Sequence, residues 1–449
     1  MHYSIIAQVV GAMGASLPQQ KFMVELLTNW LAGRGRFNYV NISRYGGLHE
    51  RTLRRWFGRD FAWAEFNQRL VACVVPPGHE LIAAMDASFV PKSGKRTVGL
   101  GWFFNGCAGR AEKGLEVSLV SVVDVTRNTA YALSARQTMP AAAAGGEGDG
   151  EREPPATACQ HSRDRKSQPK RAKGKHPYPA KGKRAKGKRP QAPLPAQETR
   201  IDAYLEHVRA VCHLLPRAVR HLAVDGYFTN YKFVQGVSEL GLELVGKLRH
   251  DANLRYLYRG PQAGRGRPRL YDGKVQWGQL DLRRWHSEGE IEPGVHLYSA
   301  SLYHVSLKRV LRVALLQERQ RGQRAKSVLL FSTDLELKGR AIVRYYKARF
   351  QIEFLFRDAK GATGLSDCQA RTASALHCHW NAALCALNLA KWQESQRAVT
   401  PVFSVASCKQ RSSNQRLLQV FSERLGLDWS ALKSHPAYSD LCNYGAIRP

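Results

Sequence analysis

The chain has 449 residues, well past the size of one average domain, and 44% of them are apolar, enough for a sizeable core. Its formal net charge is +32. An excess of that size speaks to partners rather than to fold, and the usual partner is nucleic acid, whose phosphates supply most of the binding energy, ahead of a membrane surface. No apolar run reaches the roughly 18 residues of a membrane span, so no bilayer-crossing helix is expected.

The start, MHYSIIAQVVGAMG, lacks a basic region and a cleavage site, so no signal peptide is expected. The nine cysteines form no CxxC pair. Cys368, Cys378 and Cys385 with His377 and His379 are the densest group. Cys378 and Cys385 stand seven apart in an apolar helical pattern, which is core spacing. Reduced thiols in a cytosolic protein are the reading preferred to a zinc site.

Residues 1–78 read as amphipathic helices broken by glycine turns. Within them YVNISRYGGLHERTLRRWF has the length of a helix, a turn at Gly46-Gly47 and a second helix. That second helix presents Arg51, Arg54 and Arg55, the pattern of a helix-turn-helix DNA-binding domain. An ordinary helical hairpin with a solvated basic face has the same pattern.

From about residue 79 the pattern turns to strands. ELIAAMDASFV, TVGLGWFFNG and GLEVSLVSVVDV are three β-rich runs joined by Gly- and Lys-rich turns, and three consecutive antiparallel strands are expected. Residues 140–198 are of low complexity. Between Arg163 and Pro190 stand thirteen Lys or Arg and one Asp, a net of +12. Like charges with Pro and Gly bury no core, so a disordered basic insert is expected there, one that holds DNA without reading sequence.

Order resumes with a helix near 199–214. HLAVDGYFTN is a second apolar strand ending in an aspartate, and a helix over 229–240 leads to the strand LELVGKLR. This is strand–helix–strand alternation, typical of a parallel pair. Residues 250–335 read as mostly β, a helix bearing YYKARFQIEFLFRDAK falls in 336–398 with the apolar helix ASALHCHWNAALCALNLAKW, and 399–449 reads as a helical, irregular tail.

Asp86 and Asp225 each end an apolar run, where a carboxylate either caps a turn or points into a site. On one continuous helix Tyr346, Arg349, Glu353, Arg357 and Lys360 share a face about 80° wide, an acid among cations, with Phe350 and Phe354 beside it to pack on a sheet. Three carboxylates, Asp86, Asp225 and Glu353, suit a hard cation such as Mg2+ or Mn2+. Two such ions serve in-line displacement at phosphorus, while neighbouring cations hold the backbone of a nucleic acid.

Tyr346, Arg349, Glu353 and Lys360, separated by two, three and six residues, match the Y-(2)-R-(3)-E-(6)-K signature, so the chain resembles bacterial DDE transposases of the IS-four type. MDASFVPKSGK and AVDGYFTN resemble the first and second aspartate regions of that family, and the resemblance covers about residues 80–395 without the basic insert. It implies an α/β fold with a ribonuclease-H-like catalytic core, over 79–139 and 199–249, interrupted by a β-rich insertion at 250–335. It also implies Mg2+-dependent strand cleavage and joining at transposon ends. Catalytic and metal-holding roles then fall to Asp86, Asp225 and Glu353, with Tyr346, Arg349, Arg357 and Lys360 on DNA. The expected partners are double-stranded DNA with terminal inverted repeats and target DNA, bound by a homodimer in the bacterial cytoplasm. A ribonuclease-H-like resolvase and a non-catalytic DNA-binding relative are the alternatives.

Overall fold

The computed structural model describes residues 2–140, 199–277, 279–318, 326–397 and 403–447, and the basic insert expected over 140–198 lies outside these apart from Pro140. Five helices come first: α1 (His2–Ala12), α2 (Leu17–Ala32), α3 (Tyr39–Tyr45), α4 (Glu50–Phe57) and α5 (Trp63–Ala72). Side chains close two of the breaks between them. Asn38 caps α3 by accepting from the Asn41 amide, and His49 caps α4 by accepting from the Arg51 amide.

Four strands follow, β1 (Leu81–Pro91), β2 (Gly101–Asn105), β3 (Arg110–Asp124) and β4 (Thr129–Thr138). Then come α6 (Arg200–Val211), β5 (His221–Val224), α7 (Tyr231–Glu239) and β6 (Glu243–Leu248). The six strands β7 (Leu254–Leu257), β8 (Tyr271–Lys274), β9 (His286–Glu292), β10 (Val295–His304), β11 (Arg309–Glu318) and β12 (Lys326–Ser332) make up the β-rich stretch. The chain closes with α8 (Gly339–Arg349), α9 (Gln351–Ala362), α10 (Ala373–Ser395), α11 (Val405–Leu425), α12 (Trp429–Ser434) and α13 (Ala437–Asn443).

All twelve strands join one mixed, mostly antiparallel sheet in the order β2-β3-β1-β5-β6-β12-β11-β10-β7-β8, with β4 on β3 and β9 on β10. Two pairs, β1 with β5 and β5 with β6, are parallel. The expected parallel crossover is therefore present, with α7 as its helix. The expected run of three consecutive antiparallel strands is rearranged: the whole of β1 pairs with Gly114–Asp124 of β3, and β3 takes β2 on its other edge over Arg110–Gly114. The strand β4 is not legible as such in the sequence, and the residues of 250–335 continue the same sheet through β12 on β6 rather than standing apart.

Alternation along β1 feeds two cores. Ile82 and Ala84 join a core with α1, α2, α5 and α8 to α10, whereas Ala83 and Met85 join the core covered by α6 and α7. The first core runs without a break from Ile6, Leu26 and Trp30 to Ile352, Leu355 and Trp380. Trp30 also donates its indole N–H to the Thr363 carbonyl at 2.9 Å. The N-terminal helices thus share their interior with the rest of the chain, and Met1–Pro140 and Thr199–Pro449 form one compact unit.

Two asparagines explain how the apolar α10 lies along a strand edge. Asn388 accepts from the Ala132 amide at 3.0 Å and donates to the Ala132 carbonyl at 2.7 Å. Asn381 does the same for Ala135, at 3.0 and 2.9 Å. Each buried amide stands in for a neighbouring strand and satisfies the free edge of β4.

Candidate active site

Met85 of β1 is paired with Val224 of β5, the last pair of the parallel ladder. The next residues, Asp86 and Asp225, therefore leave the ladder side by side. Asp225 follows the end of β5, as expected. Asp86 is not at a strand tip: β1 runs on to Pro91 because β3 pairs with it all the way. Asp86 is instead the first residue of β1 that has lost its β5 neighbour. By alternation Asp86 shares a face with Ala84, and Asp225 with Ala223, and both alanines belong to the core that α8 and α9 cover.

Those helices bring the third carboxylate. They are not the single continuous helix the spacing suggests. Phe350 separates α8 from α9, with i to i+3 bonds from its amide to Lys347 O (3.1 Å) and from Glu353 N to its carbonyl (3.0 Å), a tightened turn. The packing face is Ile352, Leu355, Phe356 and Ala359. Phe350 is 47% exposed and meets Phe354 edge-to-face, so these two rings do not pack on the sheet as expected.

Arg349 ties the acids together. Its Nη1 lies 3.4 Å from Asp86 Oδ2 and its Nη2 donates to Glu353 Oε1 at 3.0 Å. It is only 7% exposed, and its Nε has no hydrogen-bond partner among the described residues. The direct contact with DNA expected of Arg349 meets a guanidinium that is buried and already given to carboxylates. Tyr346 completes the group: its hydroxyl stands 3.4 Å from Asp225 Oδ1 and its ring 5.5 Å from the Arg349 guanidinium carbon.

The charges are unevenly compensated. Burial pushes the Asp86 carboxyl up to about 6, aided by Asp225 and Glu353 and opposed by the Ala87 amide and Arg349. Burial, with the Asp225 charge, pushes the Tyr346 hydroxyl up to about 12. The carboxylates hold Arg349 above its ordinary value in spite of its burial.

Lys360 is half-buried and donates to Ser88 Oγ at 2.8 Å, two residues along β1 from Asp86 and on the same face. Ser88 does not stand out in the sequence, although its spacing from Asp86 is the signal. Arg357 turns outward, pairing with Asp358 and lying over the Phe354 ring at 4.5 Å. Arg51, Arg54 and Arg55 are exposed on α4, while Leu53 and Phe57 anchor that helix.

A family model described as DDE superfamily endonuclease matches residues 13–290, more than half of the chain. The chain belongs to that family. A second model, described as transposase DDE domain, matches residues 195–389. Asp86 falls in the first match, Glu353 in the second and Asp225 in both. No curated protein matches. This DDE endonuclease is thus of transposase type, from families that generally use divalent metals.

The residues fit such an ion by donor chemistry. The set is all carboxylate oxygen, and burial holds the Asp86 carboxyl above its ordinary value in spite of the Ala87 amide and Arg349. Among the described residues no group of three or more His, Cys, Asp or Glu is arranged to hold a metal, and in the triad Arg349 occupies the space between two of the acids. Cys378 and Cys385 are buried core residues of α10.

Proposed function

We propose that this DDE endonuclease is a transposase of the IS-four type that cuts and joins DNA strands at the ends of an insertion sequence. The observation that carries the reading is the convergence of Asp86, Asp225 and Glu353 on one face of the sheet, joined through Arg349 and Tyr346. Of the four signature residues, Tyr346 reaches Asp225 and Arg349 reaches Asp86, over 100 residues away in sequence, while Glu353 is joined through Arg349 and Lys360 is held by Ser88. The strands β4-β3-β1-β5-β6, antiparallel up to β1 and parallel after it, are the part of the sheet we assign to the ribonuclease-H-like core.

Asp86, Asp225 and Glu353 would hold two Mg2+ or Mn2+ ions, which when bound activate a nucleophilic oxygen and stabilise the leaving oxygen at phosphorus. Arg349 fixes the rotamers of Asp86 and Glu353, and Tyr346 orients Asp225. Lys360, held by Ser88, places a positive charge beside the carboxylates for a DNA phosphate. Arg51, Arg54 and Arg55 on α4 face solvent, as contacts to duplex DNA require.

The test is strand nicking by the purified protein with Mg2+ on the element's own ends. Asp86→Asn, Asp225→Asn and Glu353→Gln should each bind those ends and fail to cut them, and a double variant should be no worse than a single one. Near-normal cutting by any one of the three removes that residue from the site. Intact end binding without nicking by the wild type favours the non-catalytic alternative.

A further inference from the structure

An open cleft of about 1290 Å³ lies where three separate segments meet: the α3–α4 region, the turn after β1, and residues 366–372 between α9 and α10. Six cations line it, Arg36, Arg54, Lys92, Lys95, Arg96 and Arg371, against one acid, Asp367. That acid is already used, since Asp367 Oδ2 accepts from the Phe37 amide at 2.9 Å. Arg54 pairs with Glu50, and Lys92 donates to the Cys368 carbonyl. Among the described residues Arg36, Lys95, Arg96 and Arg371 have no carboxylate partner. The walls are tied to each other: the Val98 amide donates to the Arg371 carbonyl at 3.0 Å. The cations are therefore gathered by the fold rather than scattered on a free surface.

We infer that this cleft is a second contact site for DNA, one that grips backbone phosphates about six base pairs from the carboxylates. The inference rests on the transposase reading above. Strand β1 sets the distance: from Asp86 to Lys92 is six residues, about 20 Å at 3.3 Å each. A duplex advances 3.4 Å per base pair, so the same span is about six pairs. Lys360 on Ser88 stands between the two places and continues the positive track. The cleft is far too large for one phosphate ion and too spread to converge on one, whereas a polyanionic strand meets its cations in turn. These groups touch no base-reading geometry, so the contact adds affinity and register but no sequence preference.

The experiment uses the full chain and a duplex carrying an element end with its flank, followed by fluorescence anisotropy between about 50 and 200 mM salt. The triple variant Lys95→Gln/Arg96→Gln/Arg371→Gln should lower the slope of log affinity against log salt by about 2.7, from about 0.9 for each phosphate no longer neutralised. End and random duplexes should be weakened alike. Neutral methylphosphonate linkages stepped along the duplex should weaken the wild type most about six pairs from the cut site and leave the triple variant indifferent there. The charge-keeping Arg96→Lys/Arg371→Lys should retain the slope, which guards against misfolding. An unchanged slope in the triple variant overturns the proposal, as does a site that inorganic phosphate alone saturates, seen as a melting shift in the wild type that the variant lacks. Wild-type protein that binds with the expected slope and never nicks sinks the transposase reading and leaves the cleft standing.

Discussion

Arg349 stands between Asp86 and Glu353, 3.4 Å from one carboxylate and 3.0 Å from the other, with 7% of its surface exposed. A guanidinium in that place does what a cation would do, so removing it should expose how much the acids repel. Arg349→Ala should cost up to about 3–5 kcal/mol in urea unfolding without divalent ions, the range for breaking a buried pair. Added Mg2+ should then return more stability to the variant than to the wild type. An equal response to Mg2+ in both proteins means that arginine and metal do not serve the same carboxylates.

Asp86 gives a pH signature. Its folded value near 6 lies above the ordinary 3.8, so the folded protein takes up this proton more readily than the unfolded chain. The stability it contributes is full below about pH 4 and is lost as pH rises through about 6, by about 3 kcal/mol for two units. Asp86→Asn removes that loss. The variant should be more stable than the wild type by up to this amount near neutral pH without metal, equal to it near pH 4, and inactive throughout. A variant no more stable than the wild type at neutral pH shows that the carboxyl is not strained.

How much of this is legible differs from residue to residue. Asp86, Asp225 and Glu353 can be picked from the sequence because an apolar run ending in an acid, and a helix face holding an acid among cations, are local patterns. That the first two are neighbours cannot, since it depends on Met85 pairing with Val224 across more than a hundred residues and the insert. A helical wheel that assumes one straight helix puts Lys360 on the face of Tyr346, Arg349 and Glu353, but that its partner is Ser88 depends on the packing of α9 on β1 beyond the tightened turn at Phe350. The cleft cations are out of reach for the same reason: three distant segments supply them. β4 is hidden because its edge is satisfied by asparagines of a helix, not by a strand.

Those asparagines allow a test of the fold alone. Asn381 and Asn388 each make two backbone bonds to β4 in a buried setting. Either one changed to Ala leaves an amide and a carbonyl unsatisfied, which should cost about 1–3 kcal/mol for each orphaned group. The two lie seven residues, about 10 Å, apart on α10, so the double variant should lose nearly the sum. Strong coupling between them in a denaturation cycle instead means that the β4 edge opens as one unit.

Lys360 separates a structural from a functional role most directly. Its ammonium is half-buried, burial lowers its proton affinity, and its one hydrogen bond in the described residues goes to Ser88 Oγ at 2.8 Å. Lys360→Ala removes that bond and should cost about 1 kcal/mol of stability. The larger effect should be on cutting. A phosphate held beside Asp86 would lose the ammonium that Ser88 holds two residues along β1, and a displacement near 1 Å costs about a hundredfold in rate. Ser88→Ala keeps the charge and frees the lysine, so it should lie between wild type and Lys360→Ala. Lys360→Arg keeps the charge too, but a planar fork does not fit a slot shaped for an ammonium on a hydroxyl, so only part of the activity should return. The measurement is single-turnover nicking on saturating end DNA, corrected for the folded fraction by circular dichroism. If the rate per folded molecule is the same in Lys360→Ala as in the wild type while the melting point falls, the lysine merely pins α9 to β1 and positions no phosphate.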